Sequence, residues 1–268
     1  MASPTLNLLE IFWSVQGEGL HVGEPSVFVR TGGCDLRCTW CDSPETWKAA
    51  VACRVETEPG GARFESIPGN VDVETVVKAV DRLFGARPGL VSITGGEPLL
   101  QPAGVRALAA GLRARGMRTL LETHGLHAEA LERVAAEIDV VSMDWKLASG
   151  VRRESDPRHG AVAAFHDAHE EFLRRALAGE GGDRGGVGEV YVKVVVTADT
   201  QDAELLEVCA RIGRTAREVP LILQPVTPHG PVRETPDAAR MLAWVRACRE
   251  RLEDVRMIPQ THKMVGVL

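Results

Sequence analysis

Short β-rich runs alternate with amphipathic helical stretches along most of this chain, and that alternation leaves few folds open. The runs fall at 26–31 (SVFVRT), 90–94 (LVSIT), 118–123 (RTLLET), 139–144 (DVVSMD), 189–196 (EVYVKVVV), 221–225 (LILQP) and 255–260 (VRMIPQ). Helical patterns occupy 73–84, 104–115, 127–138, 202–213 and 236–252, the last with Thr235 as N-cap and Pro236 at the first helical position. Such alternation predicts an α/β fold, with parallel strands covered by outer helices. Seven strand signals predict a full or partial (β/α) barrel, with a doubly wound sheet as the competing architecture. The 268 residues fit one domain spanning 1–268, and with aromatics at 4% its core is built mainly from Val, Leu, Ile and Ala.

Two stretches break the rhythm and read as insertion-like segments. Residues 44–71 carry Pro59, Gly60, Gly61, Pro68 and Gly69; residues 148–188 carry a predicted helix near 161–178 and then a glycine-rich run at 179–186. Loops of this length are usually lids or mobile insertions. His159, His166 and His169 lie in the second segment and read as part of a solvated, charge-rich helix.

Composition excludes several function classes. The net charge is −6 and no dense Lys/Arg patch occurs, which argues against nucleic acid. No apolar run reaches membrane-spanning length, and the start MASPTLNLLE lacks a basic segment followed by an apolar one, so a soluble, cytoplasmic protein with no membrane partner is expected. Six cysteines in a chain of this size do not make a disulfide scaffold.

Half of those cysteines stand together. Cys34, Cys38 and Cys41 follow the first strand in a C-x3-C-x2-C pattern. Three thiolates in eight residues can hold a metal centre on three corners and leave the fourth open, whereas structural zinc wants four closed protein ligands and iron–sulfur clusters are held by thiolates. The others read as bystanders. Cys209 shares a helical face with Leu205 and Ile212, Cys248 follows Met241, Trp244 and Val245, and Cys53 falls in an irregular stretch. Chemistry in a (β/α) barrel sits at the C-terminal ends of its strands. The strand signals here end on Arg30, Thr94-Gly95-Gly96-Glu97-Pro98, Glu122-Thr123-His124, Asp144-Trp145-Lys146, Gln224 and Gln260-Thr261-His262-Lys263. Taken singly each could be a turn or a cap, and Gly95-Gly96 alone is an ordinary turn.

C-x3-C-x2-C after a first strand with Gly-Gly-Glu-Pro after the second resembles the radical S-adenosylmethionine superfamily. More narrowly, the chain resembles the 7-carboxy-7-deazaguanine synthase family of the queuosine (7-deazapurine) pathway. That resemblance rests on Val15-Gln16-Gly17-Glu18-Gly19, Phe28-Val29-Arg30, Cys38-Thr39-Trp40-Cys41-Asp42-Ser43, Thr94–Pro98, Leu121-Glu122-Thr123, Gln224-Pro225 and Gln260–Lys263. It implies the superfamily's partial barrel, a [4Fe–4S] cluster, S-adenosylmethionine and Mg2+. It implies a lyase that contracts 6-carboxy-5,6,7,8-tetrahydropterin to 7-carboxy-7-deazaguanine with loss of ammonia. An electron-donating reductase such as flavodoxin and a homodimer come with the same resemblance.

Roles carry over by position. Cys34, Cys38 and Cys41 match the cluster ligands, and Ser43 the Mg2+ contact. Val15, Gln16, Gly17, Glu18, Arg30, Thr94 and His262 match the substrate site, with Arg30 set to pair with the pterin carboxylate. The terminal carboxylate of Leu268 matches a further substrate contact. Gly95, Gly96, Glu97, Glu122, Gln224, Pro225, Val226 and Thr227 match the cofactor site. The run Ser142-Met143-Asp144-Trp145-Lys146 replaces the family's shorter Ser-Pro-Lys, so Ser142, Asp144 and Lys146 share one candidacy for the cofactor. Lys193, inside a strand, needs a charged partner and is carried with them. His124 reads as a surface loop histidine. Two other readings stay open at this stage: a glycyl-radical activase, which shares the cysteine and glycine motifs, and a metal- or redox-sensing domain.

Overall fold

The structure is a computed structural model and describes residues 4–156, 165–178 and 187–267. Its first element is one that the alternation did not signal. β1 (Thr5–Val15) pairs antiparallel with β2 (Pro25–Thr31), with Phe12 opposite Phe28. A register shift between Leu8 and Glu10 breaks the period-two pattern of β1, which hides the strand from a periodicity reading. The cysteine loop follows β2 and contains the three-residue β3 (Leu36–Cys38).

The first insertion-like segment is part of the sheet. β4 (Ala52–Glu56) runs parallel to β1, β5 (Phe64–Pro68) returns antiparallel to β4, and β6 (Asn70–Asp72) pairs with the start of β1. Cys53 is therefore a fully buried strand residue and does not sit in irregular chain. Asp72 then caps α1 (Val73–Phe84), its carboxylate accepting from Thr75 N at 3.0 Å.

The α/β rhythm continues through β7 (Leu90–Gly95), α2 (Pro102–Arg113), β8 (Arg118–Thr123), α3 (Ala128–Glu132) and β9 (Val140–Asp144). After β10 (Val151–Arg153) and α4 (His166–Leu177) come β11 (Glu189–Val196), α5 (Asp202–Thr215), β12 (Leu221–Pro225), α6 (Ala238–Arg249), β13 (Val255–Met257) and α7 (Thr261–Val265). The sheet order is β13-β12-β11-β9-β8-β7-β2-β1-β4-β5, and every ladder from β2 to β13 is parallel. Among the described residues no ladder joins the two ends, so the barrel is partial. Buried on both faces, the central strands read as continuous apolar runs: seven of the eight residues of β11 are buried.

Three boundaries differ from the sequence reading. The 127–138 pattern divides into α3 and a 3-10 turn at Ala135–Glu137, which lets Leu131, Val134 and Ile138 all reach the core. α6 starts after Asp237, whose carboxylate accepts from Arg240 N at 2.8 Å, so Pro236 precedes the cap. The last strand stops at Met257, and the following loop brings Gln260 to the N-cap of α7.

The second insertion-like segment closes over the cysteine loop. β10 pairs antiparallel with β3, Val151 facing Cys38, and Leu36, Val151 and Phe165 form a small apolar cluster against Cys34, Cys38 and Trp40. The helix predicted at 161–178 begins at His166 and is not solvated all round: His169, Phe172, Leu173 and Ala176 are buried, and only the face with Glu171 and Arg174 carries the charges. His159 lies outside the described residues, as does the glycine-rich run. The two remaining core thiols, Cys209 on α5 and Cys248 on α6, face each other with Sγ atoms 2.7 Å apart.

Candidate active site

The C-terminal ends of the parallel strands surround a cavity of about 440 Å³. One wall is the cysteine loop. Cys34, Cys38 and Cys41 all line the cavity and are half-buried free thiols. Burial pushes the Cys34 thiol up to about 12 and the Cys38 thiol up to about 11, and it raises Cys41 as well. These are poor thiolates on their own; a cation bound among them is what would ionise them.

The turn after β7 presses onto that loop. Gly96 N donates to Thr31 O at 3.0 Å and Glu97 N to Gly33 O at 2.8 Å. A Cβ on Gly96 would sit 2.1 Å from Gly33 O, and one on Gly95 2.4 Å from the Thr31 backbone, where Gly95 also holds φ +114°. Only glycine permits this approach.

A second part of the lining is charged. Lys193 bonds the Glu18 carboxylate and lies 3.3 Å from Asp144 Oδ2, which also takes Lys146 Nζ at 2.8 Å. Burial alone would favour the neutral forms, but the pairing overrides it. Asp144 is held down at about 2 by Lys146 and Lys193, and Glu18 is lowered by Lys193. Lys146 is raised by Asp144 and by the Cys38 thiol, and Lys193 by Glu18 and Asp144. Glu122 goes the other way, raised by burial and then by the charge of Glu18, while it accepts from Gln16 Nε2 at 2.9 Å and Thr94 Oγ1 at 3.0 Å.

Between the walls, Arg30 donates from Nε to Glu10 at 2.8 Å and lies 5.6 Å from the centre of the Phe12 ring, which stacks on Phe28 at 5.1 Å. Gly17 abuts His262, where a Cβ would sit 2.0 Å from Nδ1, and Thr261 N donates to Gly17 O at 2.9 Å. Gln260 Nε2 bridges Glu18 at 2.8 Å and Asp42 at 3.3 Å.

The structure thus gathers Gln16, Gly17, Glu18, Arg30, Ser43, Thr94 and His262 around the same cavity as the cysteines. Gly95, Gly96, Glu122, Ser142, Asp144, Lys146, Lys193, Gln224 and Val226 line it too. Four predicted site residues do not. Val15 closes β1 behind the loop, Glu97 is wholly buried beneath the glycine turn, and Pro225 and Thr227 flank the lining residue Val226. Leu268 lies outside the described residues. His124, read as a surface residue, is buried at 5% exposure because its ring turns inward to Asp35. Sequence reasoning missed the platform of Phe12 and Phe28 and its partner Glu10, all three lining the cavity. Recognising β1 as a strand paired with β2 would have placed them.

The donor set suits an occupant. Three thiols converge on one cavity beside a glycine cradle, and two buried acceptors lining it, Asp144 Oδ1 and Gln224 Oε1, have no hydrogen-bond partner among the described residues. Thiolates suit an iron–sulfur cluster, and the free acceptors suit a ligand with hydroxyl or amine donors. The Radical SAM superfamily model matches residues 28–177, and the chain belongs to that superfamily, whose members carry a [4Fe–4S] cluster and S-adenosylmethionine. Full-length relatives narrow the class. The chain is 34% identical to the 7-carboxy-7-deazaguanine synthase of Geobacter sulfurreducens, covering 100% of both chains. It is 37% identical to that of Methanopyrus kandleri, over 99% of this chain and 96% of the relative. It is a member of the 7-carboxy-7-deazaguanine synthase family. The crystal structure of QueE from Escherichia coli is similar in fold, with a TM-score of 0.62 at 22% identity over 97% of this chain and 95% of that one.

Proposed function

We propose that this protein converts 6-carboxy-5,6,7,8-tetrahydropterin to 7-carboxy-7-deazaguanine with release of ammonia. The observation that carries the reading is the shared cavity: the cysteine loop, the glycine turn and a polar group made of Gln16, Glu18, Arg30 and Gln260 open onto one space. When bound, the cluster and S-adenosylmethionine supply radical chemistry able to take hydrogen from an unactivated carbon. The chain's own residues bind and orient. Cys34, Cys38 and Cys41 would hold the cluster, and Gly95, Gly96, Asp144 and Gln224 would meet the cofactor. Arg30 presents its remaining guanidinium N–H groups to the pterin carboxylate, while Glu18 and Gln16 read the ring's N–H edge.

Ser43 and Asp42, whose side chains are joined at 3.0 Å, offer hard oxygens to a Mg2+ that would also take oxygens from substrate. A flavodoxin-type electron donor, a homodimer and a cytoplasmic site accompany this reading; among the described residues no helix is long and apolar enough to cross a membrane. The test is anaerobic turnover of the carboxypterin with S-adenosylmethionine, reductant and Mg2+. Stoichiometric deazapurine and ammonia are expected. Full iron loading and cofactor binding without either product would overturn the assignment.

A further inference from the structure

Glu97 is a carboxylate with no exposure to solvent. Its Oε1 accepts from Leu99 N at 2.9 Å and Thr123 Oγ1 at 2.8 Å, and its Oε2 from His124 N at 2.9 Å. Among the described residues its one ion-pair partner is the His124 ring, with Nε2 at 3.3 Å from Oε2. The same Nε2 lies 2.8 Å from Asp35 Oδ1, and Asp35 stands in the cysteine loop directly after Cys34. His127 reaches the other Asp35 oxygen at 3.2 Å. From behind, His169 on α4 lies 3.0 Å from the His124 carbonyl oxygen through its own Nε2. His124 therefore joins three elements: the turn that cradles one side of the cavity, the loop that bears the thiols, and the helix of the second insertion-like segment.

We propose that His124 is a positioning residue that locks the cysteine loop to the glycine turn, and so sets Cys34 relative to the cofactor-binding backbone. The physical reason lies in what it connects. A buried carboxylate is costly without partners, and a ring shared between Glu97 and Asp35 makes movement of either loop break one of these contacts. Partners of this kind orient the residues that hold a metal centre, and His124 does so from the lining of the cavity itself. The inference rests on the superfamily's cluster and cofactor and not on the pterin reaction. Asp35, His124 and His127 also bring three donor atoms within 4.8 Å of one another, as a divalent cation would require. His124 Nε2 already bonds Asp35 Oδ1 at 2.8 Å, which favours the bonded network, while His127 Nε2 comes within 3.2 Å of Oδ2 without hydrogen-bonding geometry.

The test uses protein with the cluster in place, its iron and sulfide counted. S-adenosylmethionine affinity and the electron paramagnetic resonance of the reduced cluster, with and without that cofactor, are the readouts. His124→Ala should keep the full iron complement, bind the cofactor about tenfold more weakly and alter the cofactor-dependent spectral change. His124→Gln, whose amide can still donate towards Asp35, should recover most of both. Asp35→Asn, at a partly exposed site outside the core, should move the readouts in the same direction and decides the matter if His124→Ala does not fold. Unchanged affinity and spectrum in the folded variants would overturn the proposal. So would one zinc per chain that is lost with His124→Ala, because the three residues would then be ligands. Loss of deazapurine formation with both readouts intact would count against the reaction, not against His124.

Discussion

The two walls of the cavity handle charge in opposite ways. The cysteine wall offers three thiols whose acidity is suppressed by burial, with an apolar backing of Leu36, Val151 and Phe165. The charged wall is already balanced: Glu18 and Asp144 against Lys146 and Lys193, with Glu122 displaced towards its protonated form. One wall is chemically unfinished until something cationic binds, whereas the charges of the other are already paired, with Asp144 Oδ1 alone lacking a partner there among the described residues. A protein built this way separates loading from folding. Removing a thiol should cost the centre and spare the fold, and removing a charge from the other wall should cost the fold.

The sharpest separation is at Cys38. Cys38→Ala should abolish cluster retention and all turnover, yet change the unfolding free energy of the metal-free chain by less than about 1 kcal/mol, since a half-buried thiol behaves as a small apolar group. Iron analysis and denaturant titration on one sample measure both. Large destabilisation there would erase the contrast. Lys193→Met should do the reverse. Lys193 is 8% exposed and stands between Glu18 and Asp144, so its loss leaves two half-buried carboxylates short of a cation, a penalty of about 3 kcal/mol with Lys146 and Gln260 still in place. Equilibrium unfolding in urea reads it. A loss below about 1 kcal/mol would mean that water, and not Lys193, balances that wall.

The same contrast explains what was legible in the sequence. The cysteine wall is local: Cys34, Cys38 and Cys41 lie within one loop, so their spacing alone states the chemistry. The partial barrel was also legible, because its parallel strands are buried on both faces and read as largely apolar runs such as β11, interrupted there by Lys193. The charged wall is assembled from residues far apart in the chain, Glu18 from the loop after β1, Asp144 from β9 and Lys193 from β11, and only the sheet order makes them neighbours. Positions such as Asp144 and Lys193 could be nominated, but their pairing could not. His124 and His169 were misread for a related reason. Both occur in polar-looking stretches, and burial comes from a partner across the fold: Asp35 for one, the stacked Trp145 ring at 5.0 Å for the other. β1 was lost to a bulge, and with it Phe12 and Glu10.

Acid should weaken the charged wall before neutral pH matters to it. Asp144 titrates at about 2 in the folded protein against an ordinary 3.8, so its ionised form is favoured by folding. A depressed folded value gives stability that is full above about pH 4 and is lost as pH falls through 3.8 towards 2; the shift corresponds to about 2 kcal/mol. The stability gap between wild type and Asp144→Asn should therefore be widest at neutral pH and narrow towards pH 2. Urea unfolding at a series of pH values measures the gap. A gap that stays constant down to pH 2 would show that Asp144 is not the group whose charge the two lysines hold.

The smallest effect is expected where the walls meet. Arg30 lies one residue before the end of β2, the strand that hands over to the cysteine loop, and its guanidinium is already oriented by Glu10 at 2.8 Å and by the Phe12 ring. Arg30→Lys keeps the charge but loses the planar fork and the stacking, so it should leave cluster content unchanged and raise KM for the carboxypterin by about tenfold, with kcat little altered. Glu10→Gln should move KM in the same direction by less, because Phe12 still holds the guanidinium. A fall in kcat with KM unchanged would place Arg30 with the cysteine wall and its chemistry, and not with the recognition of substrate.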